Sequence, residues 1–160
     1  MASIEERLDR LESHETIRKL VARYAIGADR KNDPAIMGAL FHEDAFWEAP
    51  GFSSFRGRDA ISAGLAEIAQ SQIFWSLHYM VSPYIDIEQS GDRASCHWYL
   101  WELATMAQEQ EEAADSWLGG WYESTVERRG PLWAFSRVKL DLRLQGKAAP
   151  PWDTKVARSA

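Results

Sequence analysis

The fold of this chain is decided by residues 74–108, which read FWSLHYMVSPYIDIEQSGDRASCHWYLWELATMAQ. Aromatic, β-branched and other apolar residues fill both halves of this stretch, and Ser90-Gly91-Asp92 separates the halves with a turn sequence. The pattern predicts two antiparallel strands, over 74–89 and 93–108, joined by a tight hairpin. Each would be about two to three times as long as a typical strand of five or six residues.

Two more long strands are predicted downstream, over 117–129 and 132–145, with a turn at Gly130-Pro131. A short strand is predicted upstream, over 45–49. Long strands joined by tight turns must twist and coil, so the sheet is expected to have a concave face. The acidic stretch 109–115 is expected to form a solvated hairpin tip.

Three helices are predicted before the long strands. The first covers about the first thirty residues, because Ser3 and Glu6 have capping-box spacing and apolar residues then recur at helical intervals. The second begins at Asp33-Pro34, and the third covers 58–70. Helices that close a strongly curved, mostly antiparallel sheet make an α+β fold. We expect one domain over 1–145, followed over 146–160 by a C-terminal tail or an oligomer arm.

The amino-acid composition disfavours several classes of function. The formal net charge of −6 disfavours nucleic-acid and anionic-membrane surfaces, and no apolar run is long enough to span a bilayer. The single Cys96 excludes an internal disulfide, and the N-terminus lacks a secretory signal, so we expect a cytoplasmic protein. Eight Trp residues indicate a core, pocket or interface built from rings. We expect an aromatic-rich pocket for a small apolar molecule.

Strand 93–108 is apolar on both faces, which leaves its orientation open. One face carries Cys96, Trp98 and Leu100, and the other carries His97, Tyr99 and Trp101. Helices would cover one face and a partner subunit the other, so a homo-oligomer is expected.

The candidate catalytic residues are His78, Asp29 and Tyr24. His78 lies among apolar residues of a long strand, where it is either a general base or a hydrogen-bonded core histidine. Asp29 ends the first helix, where it either orients His78 or is simply solvated. His97 is a weaker candidate, and His14 and His42 are expected on the surface. No metal-ligand spacing occurs, so neither a metal nor a cofactor is expected.

The order of elements, with the motifs FRGRDAI at 55–61 and GDRA at 91–94, resembles the SnoaL-like family of the nuclear transport factor 2-like superfamily. The resemblance covers about residues 4–145. It implies a cone-shaped half-barrel, a strongly curved and mostly antiparallel sheet closed by three helices.

Within that superfamily, the chain resembles the scytalone dehydratase, bile acid 7α-dehydratase and lindane dehydrochlorinase lyases. The resemblance implies an Asp–His dyad formed by Asp29 and His78, with Tyr24 as a further catalytic residue. It also implies an active-site Arg, for which Arg129 and its neighbour Arg128 both qualify. A Lys stands at the place of Tyr24 in the dehydrochlorinase, where this chain departs from it.

The candidate residues and the resemblance together predict a cofactor-free lyase, either a dehydratase or a dehydrohalogenase. Its substrate would be small, hydrophobic and cyclic. The alternatives are an isomerase or cyclase of a polyketide or steroid-like substrate, and a protein that only binds a small ligand. A trimer is favoured over a dimer, because the dehydratases of the resemblance are trimers. The expected substrate-binding residues are Trp47, Phe55, Trp75, Met80, His97, Tyr99, Trp101 and Arg137.

Overall fold

The structure is a computed structural model that describes residues 2–108 and 111–148. Three helices and six strands follow one another along the chain. The elements in order are α1 (Ile4–Asp29), α2 (Pro34–Gly38), β1 (Phe41–Ala49), β2 (Ser53–Arg56), α3 (Arg58–Ser71), β3 (Ile73–Ile87), β4 (Arg93–Gln108), β5 (Glu111–Arg129) and β6 (Leu132–Lys147). No helix among the described residues is both long and apolar enough to cross a membrane.

The six strands form one sheet in the order β2-β1-β6-β5-β4-β3. Neighbouring strands are antiparallel except β1 and β6, which are parallel. The β5–β6 hairpin turns within two residues, and Gly130 adopts a φ of 62° there, a conformation that favours glycine. The mixed α+β sheet closed by helices confirms the expected fold class.

The helices pack on one face of the sheet and create the core. Helix α1 begins with the predicted capping box, in which Ser3 and Glu6 bond each other's backbone N–H groups. Its buried stripe includes Ile17, Leu20 and Tyr24, each at most 5% exposed. Burying this apolar stripe against the sheet stabilises the helix far more than its own propensity does.

The core fixes the orientation of β4. Trp98 is fully buried beneath the helices, together with the even-numbered residues on either side of it. The odd-numbered residues point to the opposite face, where Tyr99 is 54% and Trp101 43% exposed. His97 stacks beside them against Trp121. This placement corrects the expectation that His97, Tyr99 and Trp101 line the same cavity as His78.

Several strands are longer than the sequence predicted. Strand β1 begins at Phe41 rather than at residue 45, because Phe41 and residues 46–48 pair with β6. Strand β2 was not predicted at all. Residues 111–115 belong to β5 rather than to a hairpin tip, and Gly146 and Lys147 belong to β6 rather than to a tail. Residues 109–110 and 149–160 lie outside the described part of the chain.

The expected surface position of His42 is wrong. Its side chain is buried at the start of β1, and its Nε2 lies 2.9 Å from the backbone oxygen of Glu127. Charged neighbours in sequence suggested exposure, but the start of β1 does not alternate, since Phe41 and His42 are both buried and Glu43 and Asp44 are both exposed.

Candidate active site

Helix α1 packs against β3, and its last two turns supply two polar side chains. Tyr24 is 2% exposed, and its hydroxyl accepts a hydrogen bond of 2.8 Å from Nε1 of Trp47. Burial raises the pKa of Tyr24 far above its usual range, so the phenol stays neutral. Asp29 lies at the helix end and is more accessible, with 31% of its side chain exposed.

Asp29 and His78 are in direct contact. One carboxylate oxygen, Oδ1, lies 2.9 Å from Nδ1 of His78 and accepts a second hydrogen bond, of 2.8 Å, from the backbone N–H of the same residue. A carboxylate at Nδ1 favours the tautomer with its proton on that nitrogen, which leaves Nε2 as the free basic atom. The backbone bond fixes the position of Asp29 relative to the strand.

Glu102 contacts the other side of the imidazole, and sequence reasoning missed it. It lies opposite His78 in the β3–β4 register, and its Oε2 is 3.4 Å from Nε2 of His78. The residue is 4% exposed, and among the described residues its Oε1 has no hydrogen-bond partner. Its position could have indicated it, because Glu102 lies two residues after Leu100 and therefore on the same face of the strand. That face proves to be the buried one.

The pKa values of the two facing groups follow from burial and charge. Burial raises the pKa of Glu102 above its usual range, although the neighbouring imidazole opposes this. For His78, burial lowers the pKa, but the charges of Glu102 and Asp29 together outweigh it, and the pKa is raised above 6.5. The two groups titrate as a coupled pair.

A small cavity of about 60 Å³, partly open to solvent, lies against this cluster. Its walls include Tyr24, Trp47, Phe52, His78, Glu102 and Tyr122. Ligand sites for drug-sized molecules measure about 300–1,000 Å³, so a steroid-like molecule does not fit here in this conformation. Phe52, in the turn after β1, is 48% exposed and forms the wall nearest to solvent. Movement of its ring is the simplest route to a larger site.

The structure places the other expected ligand-binding side chains at different depths. Trp47 lines the cavity, and Phe55 stacks behind it with ring centroids 5.7 Å apart. Met80 packs against the core. Trp75 pairs in register with Thr105, on the outer side of the sheet.

Neither of the expected arginines reaches the cavity. Arg129 bonds Asp44 at 2.7 Å and Glu127 at 2.8 Å on the surface. Arg137 of β6 forms an ion pair with Glu48 of the neighbouring strand β1, and its side chain is 56% exposed. Among the described residues that line the cavity there is no Lys or Arg. A developing negative charge there would be stabilised by hydroxyl groups, not by a cation.

Within residues 2–108 and 111–148, no group of three or more His, Cys, Asp or Glu side chains could hold a metal ion. Cys96 is buried on the inward face of β4, and burial raises the pKa of its thiol to about 12. Such a thiol is protonated and unreactive at neutral pH.

Known structures share this architecture. A type 2 hexachlorocyclohexane dehydrochlorinase aligns with a TM-score of 0.81 and 21% identity, over 90% of this chain and 94% of its own. The type 3 enzyme from Novosphingobium barchaimii LL02 has a TM-score of 0.80 and 21% identity, over 90% and 95% of the two chains. A candidate scytalone dehydratase from Novosphingobium aromaticivorans has a TM-score of 0.73 and 23% identity, over 88% and 90%.

These likenesses establish the fold. No curated protein matches the sequence. The model of the SnoaL-like domain, however, matches residues 9–139, most of the described chain. The chain therefore belongs to the SnoaL-like family.

Proposed function

We propose that this protein is a cofactor-free lyase that removes water or a halide from a small, hydrophobic, cyclic substrate. The observation that carries the proposal is the 2.9 Å contact between Nδ1 of His78 and Asp29 at the wall of a small, largely apolar cavity. A base held in one tautomer at the wall of such a cavity is suited to removing a proton from carbon. The dehydrochlorinase and dehydratase names of structural neighbours support the same reaction class.

Each side chain has a separate task in this reaction. Nε2 of His78 removes a proton from carbon, and Asp29 stabilises the imidazolium that forms. The Tyr24 hydroxyl hydrogen-bonds the leaving group or the oxygen on which negative charge develops. Tyr122, whose ring centroid lies 5.5 Å from that of Tyr24, adds a second hydroxyl to the same wall.

Three probes of cyclohexane size test the proposal and its rivals. The wild-type protein is expected to convert 3-hydroxycyclohexanone to 2-cyclohexenone, and to exchange the α-protons of cyclohexanone for deuterium in D₂O, both followed by NMR. An isomerase would instead convert 3-cyclohexenone to 2-cyclohexenone without eliminating water. A protein that only binds ligands would do none of these, and α-proton exchange no faster than in buffer would contradict the proposal.

We also propose that copies of this chain associate through the outer face of the sheet, as a trimer in preference to a dimer. This outer aromatic face consists of Tyr79, Val81, Tyr99, Trp101 and Leu144, which are 43–55% exposed. A large aromatic side chain buries about 150–250 Å² when covered, so the face offers roughly 500 Å². That is at the upper end of the patches on monomers and a major part of the roughly 800 Å² that each partner buries in a stable interface.

A charge placed on the outer aromatic face should separate the subunits. We expect Tyr99→Glu to shift the mass measured by light scattering from oligomer to monomer, because a buried carboxylate would face apolar surface. Ile26→Glu is the control, since Ile26 is 49% exposed on α1 and outside the face. A monomeric wild-type protein at the same concentration would contradict this assembly.

A further inference from the structure

Glu102 is a buried residue with one carboxyl oxygen that makes no hydrogen bond to the described residues. The residue is 4% exposed, and among the described residues its Oε1 has no partner, while its Oε2 lies 3.4 Å from Nε2 of His78. A buried carboxylate with an empty acceptor position is costly unless it is protonated or bonded to a ligand. Both Glu102 and His78 line the cavity, so a ligand there can reach the pair.

Charge balance indicates where the protons lie at rest. Asp29 and Glu102 are two carboxyl groups on opposite sides of one imidazole. With His78 neutral, ionisation of both would place a second negative charge on Glu102, which is 4% exposed. A proton on Glu102 leaves one negative charge, on Asp29, whose side chain is 31% exposed, and converts the Glu102 carboxyl into a donor. Burial acts in the same direction, since it raises the pKa of Glu102.

We propose that Glu102 is the acid that protonates a departing hydroxyl group, and that the substrates of this site are therefore alcohols rather than halides. The inference rests on the lyase function proposed above and narrows it. It gives the proton-donor role to Glu102 and leaves Tyr24 as a hydrogen-bond donor. Hydroxide is a poor leaving group that needs a proton, whereas chloride leaves without one.

The bonds and protons balance within the pair. Nε2 of His78 takes the proton from carbon, and the electrons of that C–H bond form the C=C bond. The C–O bond breaks, and its oxygen takes the proton of Glu102 and leaves as water. His78 is then protonated and Glu102 ionised, only 3.4 Å apart. Transfer of one proton from His78 to Glu102 restores the starting state without any further reactant.

The lining of the cavity favours the same substrate class. Among the described lining residues no Lys or Arg is present to stabilise a departing anion. A departing chloride would therefore carry its full negative charge with no Lys or Arg beside it. Water leaves as a neutral molecule and needs no such partner.

Two measurements test the inference, with Glu102→Gln as the variant. The first is the infrared difference spectrum of wild type minus variant near pH 7. We expect a carbonyl band of a protonated carboxylic acid that the variant lacks. Glu123→Gln is the control, because Glu123 is exposed on β5 and its replacement should leave the band unchanged. Absence of the band from wild type overturns the inference.

The second measurement compares 3-hydroxycyclohexanone with 3-chlorocyclohexanone, corrected for elimination in buffer. Glu102→Gln is expected to lower turnover of the alcohol by about 10²–10⁴-fold, the size of a general-acid contribution, and that of the chloride by less than about tenfold. Glu102→Asp, which keeps an acid, should restore part of the loss for the alcohol. Equal losses on both substrates would overturn the inference and leave the lyase proposal intact. Unchanged turnover of both by His78→Gln would instead refute the lyase proposal.

Discussion

Replacing His78 by Gln is expected to lower α-proton exchange from cyclohexanone by about 10²–10⁴-fold, because the amide cannot accept the proton. Gln is close in size to His, so the packing of β3 should survive. Asp29→Asn should lower the rate less, by about 10²-fold, since it removes the charge at Nδ1 but keeps a polar side chain at 2.9 Å. Deuterium incorporation measured by NMR gives the rates.

His97→Gln is the matched control for this experiment. His97 lies on the neighbouring strand β4 but points to the opposite side of the sheet, where it contacts Tyr99 and Trp121. The same substitution there should change the rate by less than about threefold, because the residue cannot reach the reacting atoms. Circular dichroism of all three variants checks that they fold. A His78→Gln variant as active as His97→Gln would show that His78 is not the base.

The pH dependence of the wild-type rate gives a second readout of the same site. Burial lowers the pKa of His78, but the two flanking carboxyl groups raise it by more. A base works in its neutral form, so exchange should increase with pH through an apparent pKa above 6.5. Asp29→Asn removes one of the raising charges, and the profile should move to lower pH. Glu102 is inferred to be protonated, so Glu102→Gln removes no charge and should move the profile less than Asp29→Asn does.

Most of the fold could be read from the sequence because its signals are local. Strand β4 begins and ends where Ser90-Gly91-Asp92 and the apolar alternation placed it. Helix α1 follows from its capping box and apolar spacing. Strand β2 was missed because a strand of four residues carries almost no periodic signal. The start of β1 at Phe41 depends on pairing with β6, a contact between distant parts of the chain.

The sequence does not show which face of each long strand points to the core. For this reason, only part of the side chains that line the cavity could be predicted. Apolar residues occupy both faces of β4, so only the position of the helices tells which face is the core. The Asp29–His78 pair was predicted from the resemblance to the lyases, because the residues alone left a core histidine and a solvated carboxylate as open alternatives. Glu102 resembles an ordinary solvated carboxylate until Trp98 and Leu100 are known to point inward. Arg129 and Arg137 were predicted at the site because a cation there could stabilise negative charge. The structure instead places both in surface ion pairs.

Gly120→Ala is expected to destabilise the protein by about 3 kcal/mol, the upper part of the usual range for overpacking. A Cβ on Gly120 would lie 2.2 Å from the backbone oxygen of Asp141 on β6. No side-chain rotation can relieve a clash with backbone, so β6 would have to move away from β5. The close approach occurs at a register shift, where Gly119 pairs with Leu144 and Gly120 with Leu142. Urea denaturation followed by Trp fluorescence measures the loss.

Gly119→Ala is the matched control, one residue away on the same strand. Its Cβ would meet the Trp101 ring at 3.3 Å, and a side chain, unlike the backbone beside Gly120, can give way by a few tenths of an ångström. Since Ala also loses less backbone entropy than Gly on folding, by about 0.4–1 kcal/mol, we expect a change within about 1 kcal/mol. Equal stability of the two variants would show that β6 can move freely at this point. Leu140 of β6 lines the cavity, so such freedom would also offer a way for the site to widen around a ring-sized substrate.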